Sequence, residues 1–214
     1  PKGEIMQILS HRGLWQTQEE RNNKEAFIRS FAAGCGTETD LRDICGKIVI
    51  SHDMPKGNEI SFEEVLQIMD GRNLPLALNI KADGQGDAIK ALLAQYNHTN
   101  YFTFDMSIPD MVVQINTGLK VFTGKSDILT IPVMLDKAAG IWLDSFYSDW
   151  FAAEDIDKII SSGKKVCVVS ADLHKRETSK QWEIIRQSKY LSSNDLLLCT
   201  DTPLAAKEFF NDKN

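Results

Sequence analysis

No apolar stretch in this chain approaches the roughly 18 residues of a membrane-spanning helix, and the opening PKGEIMQIL lacks the apolar core of a secretory leader. Clustered positive charge is also missing. The 24 Lys and Arg are dispersed, in no run longer than two, among 30 acidic residues, for a net charge of −6. Affinity for nucleic acid or an anionic membrane rests on clustered cations, so neither partner is expected, although a local basic pocket for one phosphate stays open. Cysteine is sparse: Cys35, Cys45, Cys167 and Cys199 show no C-x-x-C spacing. Three of them sit in or beside apolar runs, as small buried hydrophobes do in a reducing compartment. A cytoplasmic location is therefore expected. Pro1 stands where an initiator Met would, which leaves processing and secretion open. Repeats, low-complexity tracts and linkers are lacking too, so 1–214 reads as one domain. Nothing in the sequence speaks to oligomeric state.

What is present is a steady alternation. With 43% hydrophobic residues the chain can bury a full core. Short β-like runs occur at Ile5–Ser10, Gly36–Asp40, Leu76–Ile80, Tyr101–Phe104, Lys120–Phe122, Gly140–Leu143, Lys165–Val169 and Leu196–Cys199. Several are nearly continuous apolar stretches, the mark of parallel strands buried on both faces. Helical patterns fall between them at Lys24–Ala33, Phe62–Asp70, Asp87–Tyr96, Pro109–Thr117, Ala153–Ser162, Lys180–Lys189 and Pro203–Phe210. Ser61 with Glu64 fits a capping box, and Pro109 and Pro203 suit first-turn positions. The weakest connection, Ile128–Lys137, is expected to hold at most a short helix. Eight strands separated by helices imply a parallel sheet, and eight is the number that closes a (β/α)8 barrel; a doubly wound open sheet is the competitor. From Leu41 to His52 the pattern reads strand, turn at Gly46, strand, so a small hairpin follows strand two.

Barrel enzymes work at the C-terminal ends of their strands. There the first strand delivers Ser10-His11-Arg12-Gly13, the second Glu38-Thr39-Asp40, the hairpin Ser51-His52-Asp53 and the third Asn79-Ile80-Lys81. Glu38 and Asp40 leave the same strand face, with Cα atoms roughly 6.5 Å apart. Two carboxylates this close repel unless a cation lies between them, and Mg2+ or Ca2+ with oxygen ligands is the natural partner. The alternative is a salt-bridged surface pair. His11 and His52 each end a strand, and an imidazole gives or takes a proton near neutrality. His98 lies in a polar loop, and His174 sits in another after strand seven. Arg12 and Lys81 are the cations best placed to hold phosphate oxygens. Among the aromatics, Trp142 near the end of strand six is the candidate for a pocket wall.

In this order the pieces resemble the glycerophosphodiester phosphodiesterase family, within the phospholipase-C-like phosphodiesterases. The likeness comprises His-Arg-Gly at 11–13, Asn23–Phe27, Glu38-x-Asp40, Ser51-His52-Asp53, Ile60–Leu66, Asn79-Ile80-Lys81, Phe102–Asp105 and Leu198–Pro203. It spans nearly the whole chain and implies a barrel with His11 and His52 as the acid–base pair and Arg12 on the phosphate. It further implies Glu38 and Asp40 as metal ligands and Lys81 as an electrostatic helper. Three departures stand out. Where the family has a third metal carboxylate this chain has Asn79, which ligates through an amide oxygen without charge, so Asp105 or Asp144 is a possible substitute. The cap insertion after His52-Asp53 is much reduced. The usual Trp-Thr motif is replaced by Ser170-Ala171-Asp172.

The function expected from this resemblance is metal-dependent hydrolysis of a small glycerophosphodiester-like substrate. Two other readings stand beside it. One is a barrel that binds phosphodiesters without cleaving them, which Asn79 favours. The other is a metal-independent lipid phosphodiesterase in which Glu38 and Asp40 are structural.

Overall fold

The computed structural model describes residues 6–211, and Ile5 of the first expected strand lies outside them. Strand β1 (Gln7–His11) crosses the boundary between two compact units, residues 10–121 and residues 1–9 with 122–214.

The 10–121 unit continues with α1 (Lys24–Ala32), β2 (Gly36–Ile44), β3 (Lys47–Ile50), α2 (Phe62–Met69), β4 (Leu76–Ile80), α3 (Gly86–Gln95), β5 (Tyr101–Phe104) and α4 (Ile108–Asn116). β4 pairs in parallel with both β2 and β5, setting Asp40 beside Asn79 and Asn79 beside Phe104. β3 turns back antiparallel on β2 from Ile44↔Lys47 to Leu41↔Ile50. The two turn residues, Cys45 (φ 49°) and Gly46 (φ 78°), are both left-handed, as a tight hairpin matched to strand twist requires. Helix starts follow the sequence signals. Asn23 accepts the Ala26 N–H, Ser61 and Glu64 form the reciprocal capping box, and Ser107 caps α4 with Pro109 in its first turn.

β2 begins where there is no room for a side chain. A methyl placed on Gly36 would lie 2.0 Å from the Pro75 carbonyl oxygen, the atom that accepts the Thr37 N–H. Gly36→Ala is therefore expected to destabilise the protein by about 1–3 kcal/mol. The measurement is a lowered urea midpoint at unchanged slope.

The other unit carries β6 (Phe122–Lys125), β7 (Gly140–Leu143), α5 (Ala153–Ser161), β8 (Lys165–Val169), α6 (Ser179–Arg186), β9 (Leu196–Thr200) and α7 (Pro203–Asn211). β6–β7, β7–β8 and β8–β9 pair in parallel. β6 lies further along the chain than the expected Lys120–Phe122: Val121 makes only an isolated bridge to Thr103, while Thr123, Gly124 and Lys125 pair with Ile141, Trp142 and Leu143. Among the described residues Ile128–Lys137 holds turns and no named helix. α6 stops at Arg186, three residues early. Just beyond it the Ser188 hydroxyl donates to Asp157 and accepts the Tyr190 N–H, holding a turn there.

Along the sheet the strand order is β5-β4-β2-β1-β9-β8-β7-β6, with β3 off this path. Eight strands in this order, joined by helices everywhere except between β6 and β7, have the architecture of a (β/α)8 barrel. Cys35, Cys167 and Cys199 are buried, and Cys45 at the hairpin turn is exposed.

Candidate active site

Most of the expected site residues fall in the 10–121 unit. Glu38 and Asp40 project from one face of β2 and are 2% and 0% exposed. Burial of two like charges demands compensation, and Asp40 finds it in two cations: Arg12 Nε lies 3.1 Å from its Oδ2, and Lys81 Nζ 3.7 Å from its Oδ1. The Arg12 contact is an ion pair rather than an aligned hydrogen bond, since its Nε–H meets no acceptor in hydrogen-bond geometry. Both cations have fixed backbones, with Arg12 N–H donating to the Glu38 carbonyl and Lys81 N–H to the Leu41 carbonyl. Arg12 itself adopts φ 60°, and the next residue, Gly13, has φ 83°. A Cβ at Gly13 would meet Ala26 Cβ at 2.6 Å, so only glycine lets the chain turn here against α1.

Glu38 is compensated less well. Its Oε2 lies 3.6 Å from His11 Nε2 and accepts no hydrogen bond. Desolvation, and then the neighbouring Asp40 charge, push its carboxyl well above the usual range, against the pull of Arg12 and Lys81. On the adjacent strand Asn79, 8% exposed, donates to Asp105 Oδ2 at 3.4 Å while its own Oδ1 accepts nothing.

Three buried oxygens from β2 and β4 thus lack a hydrogen-bond donor: Glu38 Oε2, Asp40 Oδ1 and Asn79 Oδ1. Buried acceptors of this kind are uncommon and suit a hard cation such as Mg2+ or Ca2+. The donor set is weak in charge, however. Among the described residues no three His, Cys, Asp or Glu side chains are grouped to hold a metal ion, so neither Asp105 nor Asp144 completes a three-acid cluster.

His52 lies just past the hairpin. Its side chain is 48% exposed, its Nδ1–H donates to Asp53 at 2.9 Å, and its carbonyl accepts two N–H groups from Arg42. That imidazole hydrogen bond holds the Asp53 carboxyl below its ordinary range. Ser51 N–H donates to the Asp40 carbonyl, which ties this return arm directly to the acidic strand.

Trp142 belongs to the other unit, where it is buried in β7 at 7% exposure. That unit also holds a pair that sequence reasoning did not join. His174 Nε2 lies 2.7 Å from Asp144 Oδ1, and its ring packs on Phe146 with centroids 4.8 Å apart. His98, read as a loop residue, is buried: it bonds to the Asn100 carbonyl, and burial lowers its pKa, which suits a structural role.

Sequence reasoning also passed over Asn22 and Thr39. Asn22 Nδ2 donates to Asp40 Oδ2 at 2.9 Å, and its Oδ1 accepts the Thr39 hydroxyl at 2.8 Å. The available signal was the doublet Asn22-Asn23 before α1. A helix needs one cap, and Asn23 supplies it.

In (β/α)8 enzymes the residues that carry chemistry stand at the C-terminal strand ends, where these carboxylates, cations and imidazole lie. Neither a family model nor a curated protein matches the sequence. Among solved structures, the chain is similar to a glycerophosphodiester phosphodiesterase from Agrobacterium tumefaciens (TM-score 0.68, 15% identity, 95% of this chain and 100% of that one). It is equally similar to an Oleispira antarctica phosphodiesterase in complex with the product sn-glycerol-3-phosphate (TM-score 0.68, 15% identity, 97% and 98% covered). A glycerophosphoryl diester phosphodiesterase from Parabacteroides distasonis follows (TM-score 0.66, 15% identity, 98% and 87% covered). At this identity the likeness establishes the fold.

Proposed function

We propose that the protein is a phosphoric diester hydrolase acting on a small glycerophosphodiester-like substrate, with His11 and His52 as its acid–base pair and Glu38, Asp40 and Asn79 as ligands for Mg2+ or Ca2+. The observation that carries this reading is the trio of buried, donorless oxygens flanked by Arg12, Lys81 and His11. The glycerol phosphate bound to one structural neighbour supports it.

Glu38, Asp40 and Asn79 would hold a cation through those three oxygens, and it would supply neutralising charge for the phosphoryl oxygens. Arg12 offers the remaining N–H groups of its guanidinium fork to the phosphate, and Lys81 adds a mobile positive charge. Asp53 keeps a proton on Nδ1 of His52, which leaves Nε2 with its lone pair, the state a base needs. His11, whose Nε2 lies 3.6 Å from Glu38 Oε2, is left to donate to the departing oxygen.

Turnover of bis-p-nitrophenyl phosphate, with and without chelator, tests the assignment. Activity should appear with Mg2+ or Ca2+ and drop at least about a hundredfold on chelation. The ion pairs that already neutralise Asp40 favour one competing reading, a metal-independent phosphodiesterase, and chelator-insensitive turnover would establish that instead. Absence of turnover with every metal would leave a phosphodiester-binding barrel.

A further inference from the structure

We infer that Asn22 is a positioning residue that decides which oxygen of Asp40 is presented to the site, and that the Thr39 hydroxyl holds it to that task; the inference rests on the phosphodiesterase reading above.

A carboxylate only accepts hydrogen bonds, so Asn22 must turn its NH2 group, not its carbonyl, towards Asp40. The Thr39 hydroxyl donates to the Asn22 carbonyl oxygen at 2.8 Å and enforces the same choice from the other end of the amide. The backbone is fixed as well. Asn22 adopts φ 62°, a left-handed conformation that asparagine tolerates better than most residues, and its N–H donates to the Arg12 carbonyl at 2.9 Å. With the main chain held to Arg12 and the amide clamped by Thr39, Nδ2 has one place to go, Asp40 Oδ2 at 2.9 Å.

The consequence falls on Asp40. Its Oδ2 is occupied by the Asn22 amide and the Arg12 guanidinium, while Oδ1 is buried without a donor and has only Lys81 near it, at 3.7 Å. Without Asn22 the carboxylate can rotate about χ2, whose wells are broad, and share both oxygens with the two cations. Thr39 and Asp40 are consecutive on β2 and face opposite sides of the strand, so the hydroxyl reaches Asp40 only through Asn22. This makes the chain Thr39–Asn22–Asp40 testable as a relay.

The variants are Asn22→Ala, the near-isosteric Thr39→Val and the double substitution. Each is measured for Ca2+ binding by calorimetry, for kcat and KM on bis-p-nitrophenyl phosphate, and for thermal unfolding. Partners that orient metal ligands typically contribute about 10–100-fold in affinity or activity. Each single variant is therefore expected to weaken Ca2+ binding and lower kcat by at least about tenfold, with KM changed far less. The relay further requires Thr39→Val to have almost no effect once Asn22 is alanine, a non-additivity that a purely structural role for Thr39 would not produce.

Wild-type Ca2+ affinity and kcat in Asn22→Ala overturn the inference. So do additive effects in the double variant, or losses that merely track a lowered unfolding temperature. A wild-type protein with no turnover at all would instead overturn the phosphodiesterase reading. In that case calorimetry alone still decides whether Asn22 sets the presentation of Asp40.

Discussion

Alanine at His52 should lower turnover of a phosphodiester at least about a hundredfold, and alanine at His11 should do the same for substrates with poor leaving groups, because a positioned acid or base contributes typically about 10²–10⁴-fold. Neither change should move the unfolding temperature much. His52 is half-exposed and touches Asp53 only through an exposed pair, and His11 contributes a long contact to Glu38. The two variants should also differ in shape of response. Loss of His52 removes the nitrogen that Asp53 keeps free to accept a proton, so its residual activity should climb with pH as hydroxide takes over. Loss of His11 removes the donor to the leaving oxygen, so substrates with good leaving groups should be largely spared. A His52→Ala enzyme that retains wild-type kcat on both good and poor leaving groups would remove His52 from the mechanism.

The second large effect concerns Glu38 in the metal-free protein. Burial, reinforced by the Asp40 charge, raises its carboxyl well above the ordinary 4.5. The folded state then holds a proton that the unfolded chain releases. Stability from this group is fully present below pH 4.5 and is lost as pH rises through the folded-state pKa. Glu38→Gln carries an uncharged group of the same shape and should escape that loss. At pH 8, with chelator, the variant should unfold several degrees above wild type, at about 2–4 °C per kcal/mol for a chain of this size, while the two converge near pH 4. Adding Ca2+ or Mg2+ should reverse the order, since a ligand that binds only the folded state stabilises only the protein that retains the carboxylate. Coincident pH profiles of the two chelated proteins would mean that Glu38 is ionised without penalty in the fold.

Much of this architecture was legible beforehand. Nearly continuous apolar runs such as Leu76–Ile80 and Lys165–Val169 named the buried parallel strands, and the Ser61/Glu64 box and Pro109 named helix starts to within a residue. β6 was displaced because Thr123-Gly124-Lys125 looks like a turn in isolation; only its pairing with β7 makes it strand. The candidate site residues were readable as types at strand ends, since polar residues there break an apolar pattern. Their pairings were not. Nothing local states that Asp144 meets His174, that His98 is buried, or that Asn22 folds back on Asp40. Each depends on segments far apart in sequence coming together in three dimensions.

The hairpin has one last implication. β2 supplies both buried acids, leaves through the Cys45-Gly46 turn, and returns along β3 to His52, with Ser51 pinned to the Asp40 carbonyl. The two buried acids and the exposed imidazole therefore ride on one uninterrupted stretch, residues 36–53, as a preassembled cartridge. Recombination that swaps such a stretch between barrels would transfer both halves of the proposed chemistry in a single event, whereas trimming its turn by one residue would shift the β2–β3 register and displace His52 relative to the two acids.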